Sequence, residues 1–213
     1  MGRVSTPGGS TILSSVRAGG GPEFTERTMS EAVAAANVPI RPETADDTGA
    51  IDLINMSAFA GDAEARLVDE LRKTPAYVPE LSLVAEDGGR VAGHLMLFRT
   101  TLAVGESEKT ILTLAPTAVV PSRTHRGLGT ALVREGVERA RQMGFPAIVE
   151  VGFPAFYQRQ GFRPITGFGL QHDLPVADDF ATALELEEGA LAGGGCLEFP
   201  APFRAFYRRP VEA

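Results

Sequence analysis

The sequence predicts an α/β (α+β) fold built on a mixed sheet, because of the order in which strand-like and helix-like segments occur. Strand-like runs at residues 81–85 and 91–98 flank Glu86-Asp-Gly-Gly-Arg90, a typical hairpin turn. Farther on, a strand-like run at residues 110–120 leads through a helical pattern to a buried strand at 147–151. Hairpins followed by a strand–helix–strand unit are typical of a mixed sheet with helices packed on it.

The first predicted elements are a short strand and two helices. Residues 38–41 predict the strand. Thr44 is a typical residue for the start of a helix, and the apolar stripe that follows it extends to Ala58. Residues 62–73 predict a second, amphipathic helix, because alanine, leucine and valine recur on one face.

The clearest helix is predicted for residues 128–143, and Gly144 is well placed to end it. Residues 154–160 suit one short helix after the buried strand. The apolar stripe of the clearest helix consists of Leu128, Ala131, Leu132, Val137 and Ala140.

The composition excludes several classes of function. The 213 residues carry a formal net charge of -7, which argues against a general binder of nucleic acid or of acidic membranes. No apolar run reaches the roughly 20 residues that span a bilayer, and we expect a cytoplasmic protein. The single cysteine, Cys196, excludes an internal disulfide framework. The three histidines, His94, His125 and His172, lack the spacing of metal ligands, so we expect no metal.

The first 37 residues differ in composition from the rest of the chain. They are rich in glycine and serine and lack sustained apolar periodicity. We therefore expect a flexible N-terminal tail at residues 1–37, followed by one domain at residues 38–213. A targeting segment or a remnant of cloning is the alternative interpretation of the tail.

The stretch from Ala118 to Val133 carries the strongest functional signal, because small residues lie where a strand gives way to a helix. Gly127 and Gly129 leave free backbone N–H groups at the helix start, which can bind an anion such as a pyrophosphate. A Walker-type phosphate loop would need Gly-Lys-Ser/Thr, but Thr130 follows Gly129. A dinucleotide-binding loop would need a third small residue where Leu132 stands.

A third alternative fits better. Thr124-His-Arg-Gly-Leu-Gly129 resembles the acetyl-CoA pyrophosphate loop of the GNAT N-acetyltransferase superfamily, whose pattern is Gln/Arg-x-x-Gly-x-Gly/Ala. Tyr157-Gln-Arg-Gln-Gly-Phe162 has the Tyr-x-x-x-Gly-Phe spacing of the same family. Gly152-Phe-Pro-Ala-Phe-Tyr157 further resembles the YhbS-like acetyltransferases within it. Two positions differ: Thr124 replaces the usual Gln or Arg, and Phe153 replaces the Asp of the subfamily's Gly-Asp-Pro.

The resemblance implies the GNAT fold, a central mixed, mostly antiparallel sheet with helices on both faces, and acetyl-CoA as cosubstrate. Val119 and Val120 would offer backbone groups to the pantetheine arm, in the gap between the strands that end at Val120 and Val151. Tyr157 would protonate the departing CoA thiolate, since a phenol pKa of about 10 lies near a thiol's roughly 8.5. The backbone amides around the pyrophosphate would be those of Arg126, Gly127, Leu128, Gly129 and Thr130.

Glu150 is the candidate general base, as an isolated acid in the apolar run Ile148-Val-Glu-Val151. Burial there would shift its pKa towards a functional range. Alternatively, strand alternation points it to solvent or to an arginine. His94 is more typical of a packed or edge histidine than of a base.

The expected function is direct transfer of an acetyl group from acetyl-CoA to an amine acceptor, a small molecule or a protein amine. The chain would then be a transferase of the acyltransferase class, without a nucleic-acid or membrane partner, and a homodimer is possible. The alternative is a non-catalytic acyl-CoA-binding or regulatory module of the same fold.

Overall fold

A nine-stranded mixed sheet forms the centre of the computed structural model, which describes residues 38–124 and 126–208. Its strands are β1 (Ile40–Pro42), β2 (Tyr77–Asp87), β3 (Arg90–Val104), β4 (Ser107–Val119), β5 (Ala147–Val151), β6 (Arg163–Pro164), β7 (Leu170–His172), β8 (Ala181–Glu185) and β9 (Gly195–Glu198). They are ordered β1-β2-β3-β4-β5-β8-β6, and β9 pairs with β3 and β7. Neighbours are antiparallel except β4–β5 and β7–β9, which confirms the mixed, mostly antiparallel sheet. The expected tail at residues 1–37 and His125 lie outside the described residues.

Helices cover both faces of the sheet, as the sequence predicts. They are α1 (Thr48–Phe59), α2 (Ala63–Arg72), α3 (Leu128–Gln142), α4 (Pro154–Gln158) and α5 (Ala201–Arg208). Among the described residues, no helix combines the length and the apolar character needed to cross a bilayer. One face buries Ile51, Leu67, Val68, Leu71 and Phe203 of α1, α2 and α5. The other buries Leu132, Val133, Ala140 and Tyr157 of α3 and α4.

Two elements near the C-terminus were not predicted from local pattern. Strand β8 consists of alanine, threonine, leucine and glutamate, and it forms because it pairs with β5 along its whole length. Helix α5 is anchored by Phe203, whose ring lies 5.2 Å from that of Phe98 and 5.0 Å from that of Phe199. In both cases packing over a long sequence distance decides the structure.

Strands β4 and β5 diverge halfway along their length. They pair in parallel from Leu112–Ile148 to Leu114–Glu150. Beyond that point β4 carries one extra residue relative to β3, at the irregularity that includes Pro116, whereas β5 ends at Val151. The gap between residues 115–119 of β4 and the end of β5, the V-opening, is where the family resemblance implies that the cosubstrate would lie.

His94 is a packed histidine, as expected, and it is completely buried. Its Nδ1 lies 3.3 Å from Asn55 Nδ2 and its Nε2 lies 3.2 Å from Ser82 Oγ. Since Asn55 Nδ2 can only donate, His94 Nδ1 accepts and the ring proton is on Nε2. Burial lowers the pKa of His94, so the ring is neutral at pH 7 and serves to join α1 to the sheet.

Candidate active site

The glycine loop leads from β4 into α3 through a short turn that immobilises its own polar side chains. The turn, Pro121–Arg123, is a single turn of 3-10 helix. Thr124 Oγ1 donates to the carbonyl of Pro121 at 2.8 Å, so this hydroxyl stabilises the turn. Arg123 pairs with Asp87 of the β2–β3 hairpin at 2.6 Å. Arg126 is exposed at the start of the helix, where its guanidinium is accessible to a phosphate.

The start of α3 presents backbone N–H groups in the way an anion needs. Gly127 is the N-cap at φ +82°, a left-handed conformation that glycine adopts without strain. The first intrahelical hydrogen bond runs from Ala131 N to Gly127 O, at 2.9 Å. The N–H groups of Leu128, Gly129 and Thr130 therefore precede the helical ladder. A Cβ on Gly129 would lie 3.6 Å from Phe156 Cζ, an ordinary contact, so the protein itself leaves room at this position.

Of the two valines at the end of β4 that the resemblance assigns to the pantetheine arm, Val119 directs its backbone groups towards the V-opening. Val120 N–H donates to Ala92 O at 2.9 Å, and Val120 O accepts from Arg123 N at 2.8 Å. Because hydrogen-bonded and non-hydrogen-bonded pairs alternate in an antiparallel ladder, the N–H and C=O of Val119 point away from β3. Val119 therefore offers both backbone groups to the V-opening, whereas Val120 has only a second lone pair on its carbonyl oxygen.

Tyr157 bridges the V-opening from α4 to β4. Its hydroxyl donates to Thr117 Oγ1 at 3.1 Å, and the residue is 5% exposed. Its ring packs edge-on against Phe156 and Phe162, with centroids 4.9 and 5.5 Å away. Gly161 has a φ of +93° and turns the chain, so that the ring of Phe162 packs against the ring of Tyr157. This contact explains the Tyr-x-x-x-Gly-Phe spacing. Burial, together with the nearby charge of Glu150, raises the pKa of Tyr157 well above its ordinary value, so the hydroxyl is protonated at neutral pH.

Glu150 points neither to solvent nor to an arginine, so the alternation-based interpretation of this residue was wrong. It is 4% exposed, because helices cover both faces of the sheet at this strand. Its carboxylate accepts from Phe153 N at 3.1 Å and from Thr182 Oγ1 at 3.3 Å. Burial raises the pKa of Glu150 to about 7, against the opposing effect of these two hydrogen bonds. A carboxyl group with this pKa can take up and release a proton at physiological pH.

The structure adds residues that the sequence analysis missed. Thr117 and Thr182 hold the two candidate catalytic side chains, and Tyr207 of α5 reaches the end of β5, where its hydroxyl donates to Val151 O at 2.7 Å. The aromatic residues at 203, 206 and 207 have helical spacing, which is the signal that could have identified α5. Phe153 is 70% exposed beside Glu150. Within residues 38–124 and 126–208, no three His, Cys, Asp or Glu side chains form a metal-binding group.

Replacing Gly127 with glutamate should weaken acetyl-CoA binding by at least about 10-fold. The substitution strains a left-handed residue and sets a carboxylate beside the amides that are the candidate site for the pyrophosphate. Isothermal titration calorimetry measures the effect. Gly144→Glu is the matched control, since Gly144 has φ +76° and open space at the other end of the same helix. Equal losses in both variants, or none in Gly127→Glu, would contradict the assignment of the loop.

Comparison with known proteins agrees with this geometry. A family model described as an acetyltransferase (GNAT) domain matches residues 39–165. The uncharacterized N-acetyltransferase YhbS of Escherichia coli strain K12 is 33% identical over 169 residues, 78% of this chain and 99% of that protein. The uncharacterized N-acetyltransferase YjhQ of the same strain is 35% identical over 122 residues, 57% of this chain and 67% of that protein.

Solved structures give the same result. The crystal structure of YhbS from Escherichia coli in complex with CoA has a TM-score of 0.71 and 31% identity, covering 78% of this chain and 91% of that one. A GNAT family acetyltransferase from Brucella melitensis in complex with acetyl-CoA has a TM-score of 0.63 and 29% identity, covering 79% and 99%. The match of the family model over more than half of the chain, together with these relatives, shows that the chain belongs to the GNAT N-acetyltransferase family.

Proposed function

We propose that the chain is an acetyl-CoA-dependent N-acetyltransferase that moves an acetyl group directly from CoA to an amine acceptor. The observation that carries the proposal is the V-opening, which has free helix-start amides at one end and the Tyr157 hydroxyl inside it. The complexes of YhbS with CoA and of the Brucella melitensis protein with acetyl-CoA support the choice of cosubstrate.

The cosubstrate would lie along β4 and the start of α3. The amides of Leu128, Gly129 and Thr130, at the positive end of the helix dipole, would hold the pyrophosphate, and Arg126 would add charge. The N–H and C=O of Val119 would pair with the pantetheine arm as a neighbouring strand would. This arrangement brings the thioester into the V-opening near Tyr157.

The transfer would proceed directly from CoA to the amine, through a tetrahedral intermediate at the carbonyl carbon. The amine nitrogen attacks the thioester, the C–S bond breaks, and Tyr157 donates its proton to the departing thiolate. Glu150 accepts the proton that the nitrogen loses, directly or through a water molecule, and this proton later restores Tyr157. Direct transfer requires no acyl-enzyme, so no cysteine nucleophile is needed. Cys196, whose thiol is exposed on β9, would therefore have no role in the reaction.

Calorimetry with acetyl-CoA, combined with a thiol-release assay over a panel of amines and lysine peptides, tests the proposal. We expect binding of acetyl-CoA and thiol release with at least one class of acceptor. Tight binding without thiol release on any acceptor would instead support the non-catalytic module. The replacement of the subfamily's Asp by Phe153 is the observation that favours this alternative. Failure to bind acetyl-CoA would overturn both.

A further inference from the structure

Tyr207 is a partly buried tyrosine of the C-terminal helix that the mechanism above does not use. Its ring packs against Phe203 and Phe206, with centroids 5.1 and 5.3 Å away. Its hydroxyl donates to the carbonyl of Val151 across 56 positions of sequence, at 2.7 Å. This short bond links α5 to the last residue of β5.

The carbonyl that Tyr207 binds points into the V-opening. Gly152 N donates to Phe180 O at 2.9 Å, which makes Gly152–Phe180 a hydrogen-bonded pair of the β5–β8 ladder. The preceding pair, Val151–Ala181, is then non-hydrogen-bonded, so the Val151 carbonyl points away from β8 towards the β4 side. Because β4 and β5 have already diverged there, the Tyr207 hydroxyl supplies the donor that a paired strand would have given.

The residue that Tyr207 holds lies between the two halves of the candidate catalytic unit. Val151 follows Glu150, and the chain then turns at Gly152, with φ +153°, into the helix that carries Tyr157. The Phe153 amide on the far side of that turn binds the Glu150 carboxylate. Fixing the Val151 carbonyl therefore fixes the turn on which both side chains depend.

Electrostatic coupling supports this placement. Burial and the negative charges of Glu150 and Glu64 raise the pKa of Tyr207, so the hydroxyl remains a protonated donor at neutral pH. Glu150 also raises the pKa of Tyr157. The charge of Glu150 thus acts on both tyrosines, one tied to β4 through Thr117 and the other tied to β5 through Val151.

We infer that Tyr207 is a positioning residue of the acetyl-transfer site: its bond to the Val151 carbonyl closes the β5 edge of the V-opening and keeps Glu150 dry and oriented. This role rests on the proposed function. Without the hydroxyl, water reaches the free carbonyl and the neighbouring Glu150 carboxylate. Hydration stabilises the ionised form, so the pKa of Glu150 falls from about 7 towards the ordinary value of 4.5.

Tyr207→Phe tests the role, because it removes one oxygen and keeps the packed ring. We expect the Glu150 pKa, measured by carboxyl-carbon NMR on labelled protein, to fall by at least about one unit. We also expect kcat to fall by about 10-fold, with the KM for acetyl-CoA changing less than about twofold. Tyr77→Phe is the matched control: its hydroxyl donates to Glu43 at 2.6 Å, away from the V-opening.

The two variants separate positioning from general stabilisation. Each variant loses one partly buried hydrogen bond, so both should show a decrease in thermal stability, while only Tyr207→Phe changes kcat and the Glu150 pKa. An unchanged Glu150 pKa in Tyr207→Phe, or an equal change in Tyr77→Phe, would overturn the inference. The NMR measurement needs no acceptor, so it decides whether Tyr207 keeps Glu150 dry even if the wild-type protein transfers no acetyl group, and a failure of the proposed function remains distinguishable.

Discussion

Replacing Tyr157 with phenylalanine is expected to lower kcat by about 100-fold or more, while the affinity for acetyl-CoA changes less than about threefold. The hydroxyl is the proposed proton donor, and it lies inside the V-opening on a ring packed against Phe156 and Phe162. Removing it leaves the thiolate to depart without a proton, which slows the chemical step and leaves the helix-start amides intact. Steady-state kinetics and calorimetry on the same samples measure the two quantities.

The raised pKa of Tyr157 is compatible with this role. In water, the pKa values of a phenol and a thiol are close to each other. In the folded protein, burial raises the pKa of Tyr157 well above that range. A CoA thiol in the same cleft loses its hydration as well, so its pKa also rises. The difference between donor and acceptor is therefore smaller than the tyrosine shift alone implies.

Tyr77→Phe serves as the control here too, because it also removes a partly buried, hydrogen-bonded hydroxyl. Tyr157→Phe should lose about 1 kcal/mol of stability and Tyr77→Phe about 2 kcal/mol, because the partner of Tyr77 is a carboxylate, but only Tyr157→Phe should lose turnover. If kcat and binding fell equally in Tyr157→Phe, the hydroxyl would be a cosubstrate contact, and its role as the acid would be wrong.

Local sequence pattern was sufficient for the parts of the site that depend on local structure. Gly127 takes the left-handed N-cap position, and the free amides that follow it are a consequence of helix geometry at any such start. Tyr157 and Phe162 meet because Gly161 permits the turn between them. These relations span a few residues, so they are determined by local sequence, and the resemblance to the family motif was enough to single these residues out.

The remaining features depend on packing between distant segments. Strand alternation predicts an outward side chain only where one face of a sheet is exposed, but helices cover both faces of this one, so Glu150 is buried. The threonine that binds its carboxylate, Thr182, comes from a strand that is 32 residues away in sequence. The contact of Tyr207 with Val151 spans 56 residues, and no local pattern encodes it.

Replacing Glu150 with glutamine is expected to abolish the rise of kcat/KM with pH that the wild-type protein shows. With a pKa of about 7, Glu150 is protonated below pH 7, so kcat/KM, calculated on the concentration of neutral acceptor amine, should increase about tenfold per pH unit up to pH 7 and level off above it. The amide cannot accept a proton, and kcat/KM above pH 7 should fall by about 100-fold. A pH–rate profile between pH 5 and 9 measures both changes.

The same substitution should stabilise the fold at high pH. The folded-state pKa of Glu150 is raised from 4.5 to about 7, so stability is lost as pH rises through this window, by roughly 3 kcal/mol in total. Glutamine keeps both hydrogen bonds, accepting from Phe153 N and donating to Thr182 Oγ1, without the buried charge. Denaturant unfolding should therefore show equal stabilities near pH 4.5 and a more stable variant above pH 7.

Glu80→Gln, the same change at an exposed position of β2, is the control and should alter neither the profile nor the stability. A stabilised Glu150→Gln protein with an unchanged pH–rate profile would show that the carboxylate is buried without a catalytic role. A lost profile without stabilisation would show that bound water already hydrates Glu150 in the free protein. Only the combination of both effects fits a buried base kept dry at a cost in stability, because the burial that raises its pKa is also what makes its charge unfavourable.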